Sequence, residues 1–471
     1  MKRNIKILFF SALIFLASCQ PNLNTYNPTP GSAKFTSYVA VGNSLTAGYE
    51  SGALFISGQK YSWDNMLATQ MKSVGMSAQF KTPYMPTEDG VGVSEGGGTP
   101  VFRTKLILGY SKDCTGKTSL GPVPANPNAS QAALYKEITT SVASGGPYNN
   151  LGIPGIKVTD LFSTNLALRN PFFTRIYNPS FGPVLLNYAK EVNPTFFSLW
   201  IGNNDVLGYA ASGGVGDFIT PMDGPEGVGF TASATAAVKY LASITSGGVV
   251  ASIPDITSIP YFNTVPYNPI PITSQAQADQ LNAAYAQYNG FMKANGLPYR
   301  INFHVGANAM VISDPSMPLP DSLSFLKIRQ IKSDELVMLE IPGDSLKCAF
   351  WGSVKPVPDQ YVLTESEISK VQTAIQNYNT VLKNLANQYN LAYVDFYTIL
   401  KSVEKKGITE DGILFTTKFI TGNLFSFDGV HLTPQGNGVV ANYFIDAINA
   451  KYGSNIPKVV VSEIPGIQFP N

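Results

Sequence analysis

Short apolar runs alternate with amphipathic segments along most of the chain. Five of the runs are long enough for a strand but too short for a helix, which predicts buried strands. They are residues 38–41, 150–155, 196–201, 249–253 and 392–395. Apolar residues at helical spacing predict helices at 62–75, 184–192, 232–244, 275–294, 365–389 and 434–452. This alternation predicts an α/β fold with a doubly wound parallel sheet.

Three long segments interrupt the alternation. Residues 79–147 are rich in Gly, Pro, Ser and Thr, and we expect little regular structure there. A Gly-rich loop dominates 208–230, whereas 297–360 carries strand-like pieces that predict a small β-rich insertion. We therefore predict one domain over 34–455 with three insertions, followed by a C-terminal tail at 456–471.

The N-terminal residues have the pattern of an export signal. Lys2, Arg3 and Lys6 precede an apolar run over 7–16, which is too short to anchor the chain across a bilayer. The run ends in Leu16-Ala17-Ser18-Cys19, which resembles a bacterial lipobox. We expect residues 1–18 to be removed and Cys19 to carry lipid, with residues 19–33 as a tether. The alternative is an ordinary signal peptide with a chance cysteine.

The residue after Cys19 bears on the destination. Gln20 stands there rather than an aspartate, and by resemblance to bacterial sorting patterns this favours the outer membrane. We expect a bacterial outer-membrane lipoprotein, facing the periplasm or the cell surface. It would be held at the membrane by its lipid, because no second apolar run is long enough for a transmembrane helix.

Composition narrows the possible partners. The chain has 32 Lys and Arg against 31 Asp and Glu, and 29 against 31 once the signal peptide is removed, so no basic excess favours nucleic acid. Because the chain has only two histidines and three cysteines, we expect neither a zinc site nor another metal site, and we predict no cofactor. Cys114 and Cys348 are able to pair in an oxidising compartment, but their spacing does not decide whether they do.

Histidine is the usual base for a nucleophilic serine, and two candidates exist. His304 has no carboxylate close in sequence, and we expect it to be a half-buried strand histidine. His431 lies in Asp428-Gly429-Val430-His431, where the Asp428 carboxylate can turn back to hold one ring nitrogen. The second ring nitrogen then stays available for a proton. Alone, this four-residue pattern is common among solvated pairs.

Two serines compete for the role of nucleophile. Ser44 follows the first predicted strand, where backbone N–H groups of a starting helix would point at its oxygen. Its surroundings are equally typical of a simple strand-to-helix cap. Ser345, in Gly343-Asp344-Ser345-Leu346, also follows a strand-like run. The bulky residues after Ser345 suit a hairpin turn, so we favour Ser44.

Taken together, these residues resemble the SGNH (GDSL) hydrolase family. The chain has four short blocks in the family's order. They are Gly42-Asn43-Ser44-Leu45, Asn150-Leu151-Gly152-Ile153-Pro154-Gly155, Gly202-Asn203-Asn204-Asp205 and Asp428-Gly429-Val430-His431. The order also decides against Ser345, which falls after the second and third blocks. The resemblance implies a three-layer α/β/α, flavodoxin-like fold with about five parallel strands.

The resemblance also implies roles for individual residues. Ser44 would be the nucleophile, His431 its base and Asp428 the partner of that base. The N–H groups of Ser44 and Gly155 and the amide of Asn204 would form an oxyanion hole. Two features depart from the family pattern: Asn43 replaces an aspartate, and the three insertions enlarge the small family core.

The expected function is therefore a serine ester hydrolase acting on carbohydrate acyl esters or on lipids. A catalytically silent binding lipoprotein with the same fold is one alternative, and an acyltransferase using the same residues is another. Five aromatic residues are candidates for lining an apolar or sugar-binding cleft, although ordinary loop packing explains each of them as well. These residues are Tyr84, Tyr261, Phe262, Tyr267 and Trp351.

Overall fold

The computed structural model describes residues 27–96 and 99–470. The predicted signal peptide over 1–18 and the lipidation site at Cys19 lie outside the described residues. The prediction of a tether over 19–33 falls only partly within them.

A five-stranded parallel sheet forms the centre of the molecule. Its strands are β1 (Tyr38–Gly42), β2 (Asn150–Gly152), β3 (Phe196–Trp200), β4 (Gly247–Ala251) and β5 (Ala392–Val394). They lie side by side in the order β2-β1-β3-β4-β5, and every neighbouring pair is parallel. This order is the flavodoxin-like arrangement of a doubly wound sheet. The predicted fold class is confirmed.

Burial explains why the sequence forms these strands. Every residue of β1, β3 and β4 is buried, as expected for a sheet covered by helices on both faces. β4 begins two residues earlier than its apolar run, at Gly247. A Cβ on Gly248 would lie 2.3 Å from the Phe197 ring, so the neighbouring strand leaves no room for a side chain. Because glycine is generally unfavourable in strands, the sequence did not indicate that β4 begins at Gly247.

Helices cover both faces of the sheet. On one face Trp63–Met71 packs against Pro434–Tyr452, where the Trp63 and Phe444 rings stack with centroids 4.0 Å apart. Elsewhere Phe230–Ile244 packs against Glu365–Gln388. The remaining α-helices are Ser44–Ala47, Ile56–Lys60, Gln131–Thr139, Leu166–Arg169, Pro171–Ile176, Asn204–Ala211, Pro260–Asn263, Gln275–Ala284, Ala286–Ala294, Gly343–Lys347 and Phe396–Lys406. The 3-10 helices are Lys72–Val74, Ala143–Gly145, Val158–Phe162, Pro179–Phe181, Leu185–Val192, Ile256–Ser258, Asp321–Leu326, Asp359–Tyr361 and Val461–Glu463.

In the part of the chain that the structure describes, six small antiparallel pairs of strands lie outside the central sheet. They are Gly92–Gly96 with Thr99–Arg103, Leu106–Lys112 with Thr118–Pro124, Ile270–Ile272 with Gly306–Asn308, Val311–Ser313 with Ile328–Gln330, Leu336–Val337 with Val362–Leu363, and Ile408–Glu410 with Ile413–Phe415. Two of these pairs and the Gln131–Thr139 helix lie within 79–147, so our expectation of little regular structure there was wrong. The Leu106–Lys112 hairpin is largely exposed, and without a buried face it has no alternating apolar pattern.

A second hydrophobic cluster is separate from the core around the sheet. It runs from Ile270 to Val362 in sequence, with Met310, Val311 and Ile312 fully buried in it. The predicted β-rich insertion thus begins before residue 297. The two helices over 275–294 pack into this second cluster instead of against the sheet.

The described ends of the chain both pack against the last long helix. Ser32 donates its N–H to the carbonyl oxygen of Tyr452 at 2.8 Å, and Ala33 is buried. At the other end, Val461 in the predicted tail is fully buried. Within the described residues, no helix is both long and apolar enough to cross a membrane.

Candidate active site

Ser44 stands at the carboxyl edge of the sheet, directly after β1. It is the first residue of the Ser44–Ala47 helix, and the Asn43 side chain caps that helix by accepting from the Leu45 N–H at 3.1 Å. The Asn43 amide also donates to Asn203 Oδ1 at 3.3 Å. An aspartate at position 43 would have no such donor. The hydrogen bond to Asn203 is therefore a contact that the family's usual aspartate could not make in this way.

Three of the predicted residues form one hydrogen-bonded chain. The Ser44 Oγ lies 2.9 Å from His431 Nε2, although 387 positions separate the two residues in sequence. His431 Nδ1 lies 2.8 Å from Asp428 Oδ2. In this arrangement Nδ1 donates its proton to the carboxylate and Nε2 accepts from the serine hydroxyl. The structure therefore brings together Ser44, His431 and Asp428.

Asp428 is fixed by backbone donors from two parts of the chain. Its Oδ1 accepts from the N–H groups of Val430 and His431, both at 2.9 Å, and its Oδ2 accepts from the Gly52 N–H at 2.7 Å. Burial by itself raises the pKa of the Asp428 carboxyl, but the facing His431 ring and the backbone N–H groups of His431 and Val430 hold that pKa well below its usual range. The carboxylate is therefore ionised at neutral pH.

The segment after the Ser44 helix is a part of the site that the sequence did not indicate. Ser51 and Gly52 both have positive φ, which turns the Gly52 N–H toward Asp428. The ring of Tyr49 lies 4.7 Å from the His431 ring, and its hydroxyl donates to the Gly52 carbonyl at 2.7 Å. The Ser-Gly pair is a turn signal, but nothing in the sequence connects that turn with a residue some 376 positions away.

The predicted oxyanion-hole residues line one cleft together with Ser44. Gly155 has φ of 83°, and the N–H groups of Ser44 and Gly155 have no acceptor among the described residues. Asn204 uses one of its amide hydrogens to donate to the Ile156 carbonyl at 2.9 Å. This bond fixes the amide and leaves its second N–H available toward the cleft.

Two cavities meet at Ser44. A wide cleft with charged residues on its walls contains Gly155 and Asp428, together with Arg103 and Glu340. A second, mostly apolar pocket runs between the last helices. The site residues Ser44, Asn204 and His431, with Leu207 and Val430, line both cavities.

The rival residues lie elsewhere. Ser345 belongs to the Gly343–Lys347 helix, and the hydrogen bond of His431 Nε2 goes to Ser44. His304 is an exposed loop residue, so the expectation of a half-buried strand histidine was wrong; the strand begins only at Gly306. Of the five candidate aromatic residues, Tyr261 alone lines the cleft, whereas Phe262 is fully buried in the core.

Comparison with known proteins decides the family. The model of the GDSL-like lipase/acylhydrolase family matches residues 38–444. The chain belongs to this family. It is accordingly a hydrolase of the esterase and lipase type, and the resemblance seen in the sequence is confirmed. Among solved structures, LAE5, an alpha/beta hydrolase from the metagenome of Lake Arreo, Spain, is 11% identical with a TM-score of 0.34, over 89% of this chain and 97% of LAE5. A comparison with curated proteins finds no match.

Two further sets of reactive residues in this GDSL-like hydrolase are its cysteines and its potential metal ligands. Cys114 and Cys348 form a disulfide with Cα atoms 6.4 Å apart, which answers the question that their spacing left open. Over 27–96 and 99–470, no group of three or more His, Cys, Asp or Glu residues is arranged to hold a metal ion.

Proposed function

We propose that the protein hydrolyses carboxylic esters with Ser44 as the nucleophile. His431 Nε2 takes the hydroxyl proton while the Ser44 oxygen attacks the acyl carbon, and Asp428 stabilises the imidazolium that forms. His431 then gives the proton to the departing alkoxy oxygen. Water attacks the acyl-enzyme by the same route and releases the acid.

The donors beside Ser44 support this proposal. Attack places negative charge on the carbonyl oxygen, and the N–H groups of Ser44 and Gly155 with the amide of Asn204 are the groups available to receive it. Donors already fixed in position need no reorganisation during the reaction, and one such donor typically contributes about 3 kcal/mol of transition-state stabilisation. The bond from Asn204 to Ile156 supplies this fixation.

The observation that carries the proposal is the continuous chain from Ser44 Oγ through His431 to Asp428. Both of its hydrogen bonds are shorter than 3.0 Å. The substrates we propose are carbohydrate acyl esters or lipids.

The test replaces in turn the two serines, Ser44 and Ser345, that compete for the role of nucleophile in the sequence. Ser44→Ala should abolish hydrolysis of a short-chain aryl acetate, while Ser345→Ala, the matched control, should hydrolyse it at the wild-type rate. A fluorophosphonate probe should label the wild type and Ser345→Ala but not Ser44→Ala. Hydrolysis by purified Ser44→Ala at the wild-type rate would refute the proposal, and an unlabelled, inactive wild type would indicate a binding protein.

We also propose lipid attachment at Cys19 and a place at the bacterial outer membrane. The support is the basic and apolar pattern before Cys19 and the residue Gln20 after it. In an expressing bacterium, Cys19→Ser should move the protein from the membrane fraction to the soluble fraction and abolish labelling by palmitate. Unchanged fractionation of Cys19→Ser would contradict the proposal.

A further inference from the structure

The apolar pocket beside Ser44 has walls made of hydrocarbon. Phe396, Ile399, Leu400 and Val403 contribute to it from one face of the Phe396–Lys406 helix. Val440, on the helix that follows His431, contributes to it as well. A polar ligand group inside this pocket would lose its hydrogen bonds to water without replacement, so the pocket favours an apolar occupant.

Most of the polar side chains that line the pocket belong to the site at Ser44. Asn43 and Asn203 are hydrogen-bonded to each other beside Ser44, and Asn204 and His431 complete the same end. The indole N–H of Trp200, also in the wall, already donates to the Ser252 carbonyl at 3.1 Å. An acyl carbonyl placed at Ser44 would thus lie beside polar donors, and the hydrocarbon attached to it would contact apolar side chains.

The Phe396–Lys406 helix sets the span of one wall of the pocket. Phe396 stacks on Trp200 with ring centroids 4.5 Å apart, and Val403 follows seven residues later on the same helix. Two helical turns advance about 11 Å. An extended chain advances about 1.2 Å per bond, the value implied by the span of an extended backbone. A wall of this span matches a hydrocarbon of about eight carbons that lies along the helix.

The wide cleft on the other side of Ser44 carries charged groups, which the apolar pocket lacks, among apolar side chains. Arg103 and Glu340 face each other there at 3.8 Å, and the ion pair of Asp160 with Arg169 forms part of the same wall. Charged and amide side chains of this kind bind hydroxyl and other polar groups. A polar alcohol finds partners in the cleft that it would lack in the apolar pocket.

We propose that the enzyme acts on esters of medium-length fatty acids, of about six to ten carbons, with polar alcohols. The acyl chain enters the pocket between the Phe396–Lys406 and Pro434–Tyr452 helices, and the alcohol lies in the charged cleft. This inference rests on the proposed function. When Ser44 forms its bond to the acyl carbon, the bond to the alkoxy oxygen breaks, and the alcohol leaves with the proton from His431. The chain stays in the pocket until water releases the acid.

The first test varies one half of the ester at a time. With a constant aryl leaving group, kcat/KM should rise about fourfold per added methylene, up to about eight carbons, and then fall when the pocket is full. With a constant acetyl group, lengthening an n-alkyl alcohol should change kcat/KM less than threefold. A maximum at acetate, or a rise along the alkyl series in place of the acyl series, would overturn the inference.

The second test changes the pocket wall at Leu400, which is 7% exposed. Leu400→Phe should lower the ratio of kcat/KM for octanoyl to acetyl esters at least tenfold, and Leu400→Ala should move the optimum to longer chains. Leu385→Ala removes the same atoms from a leucine that is 5% exposed and outside the pocket, and it should leave the ratio unchanged. A misfolded fraction cancels in the ratio.

The outcomes separate the two proposals. If Ser44→Ala keeps the activity, the proposed function fails. If Ser44→Ala is inactive and the wild type is active but both Leu400 variants keep the wild-type ratio, the inference about the acyl chain fails alone.

Discussion

The Asp428 carboxylate accepts hydrogen bonds with both of its oxygens, which an amide cannot do. Oδ2 accepts from His431 Nδ1 and from the Gly52 N–H, and Oδ1 accepts from the backbone N–H groups of Val430 and His431. An asparagine would turn its N–H₂ group either toward those two backbone donors or, with the amide reversed, toward His431 Nδ1, where the ring would then adopt the other tautomer.

We therefore expect Asp428→Asn to lower kcat by about 10³ to 10⁴, with a much smaller change in KM. Steady-state hydrolysis of an aryl ester measures both constants. The exposed carboxylate of Asp446 offers a control, since Asp446→Asn changes charge equally but far from the site. A fall in kcat of less than tenfold for Asp428→Asn would show that the carboxylate does not orient the base.

Asn204 allows a separate test of charge stabilisation. Removing the amide in Asn204→Ala should lower kcat by about 10²- to 10³-fold, because the donor acts on the oxyanion more than on the ground-state ester. Because the variant also loses the bond to the Ile156 carbonyl, its melting temperature must be measured alongside. If KM rises and kcat is unchanged, the amide only binds substrate.

At this scale the sequence indicated the residues that lie in the four family blocks, including the backbone donors of Ser44 and Gly155, and missed the segment that follows the Ser44 helix. Ser44, Asp428 and His431 could be predicted from the sequence because the chain has few histidines and because short motifs surround these residues. The Gly52 N–H could not be predicted, because this backbone donor lies outside the four blocks and its acceptor is 376 positions away in sequence. Tyr49 was missed because its contact with His431 depends on the tertiary fold.

On the scale of elements, the Trp63–Met71 helix contains a buried acid that makes stability depend on pH. Asp64 is fully buried, and its Oδ2 accepts from the Asn150 amide at 2.6 Å. Burial raises the pKa of Asp64 from its ordinary value of 3.8 to about 7. Between these values the folded protein holds a proton that the unfolded chain releases. Stability contributed by the protonated acid is therefore complete below about pH 4 and is lost as pH rises through 7.

Asp64→Asn should remove this dependence, because a neutral amide can still accept from Asn150. Between pH 5 and pH 7 the free energy of unfolding of the wild type should fall relative to the variant by roughly 1 kcal/mol per pH unit. Urea unfolding of both proteins at several pH values measures the difference. Asp279→Asn, at an exposed position, should follow the wild type. A difference between Asp64→Asn and the wild type that is constant with pH would contradict the prediction.

The predictability of elements follows their burial. The five central strands and the Pro434–Tyr452 helix have strong patterns because a large core selects their apolar faces. The exposed hairpin at Leu106–Pro124 has no such selection and was missed. The helical pattern over 275–294 was found, but the sequence did not indicate that it belongs to a second core, because an apolar face does not identify its partner.

For the molecule as a whole, the Cys114–Cys348 disulfide joins two insertions that flank the wide cleft. It connects the Leu106–Pro124 hairpin region to the second hydrophobic cluster, and the ion pair of Lys347 with Asp113 at 2.9 Å lies beside it. The loop that the bond closes is long, with 234 positions between its ends. A cross-link over such a loop restricts the unfolded chain strongly.

The double variant Cys114→Ser/Cys348→Ser should therefore lose about 2 to 4 kcal/mol of unfolding free energy. Denaturant unfolding under oxidising conditions measures this loss, and the wild type under a strong reductant should match the variant. Lys347→Met removes only the ion pair with Asp113, and we expect it to change stability far less than the double variant does. Equal stability of the oxidised wild type and the double variant would contradict the prediction.

The position of Ser32 against Tyr452 shows where the N-terminal segment leaves the domain. Tyr452 closes the 19-residue Pro434–Tyr452 helix, whose first residue lies close to His431, and its hydroxyl bonds to Gly248 at the start of β4. The N-terminal part of the described chain thus leaves from the sheet edge opposite to Ser44, about 28 Å away along the helix. With Cys19 lipidated as proposed, the attachment point would lie on the side of the domain opposite to the catalytic mouth. Substrates that arrive from the aqueous side would meet the mouth directly, and the lipids of the carrying membrane would come within reach only when the enzyme turns on the segment before Ser32.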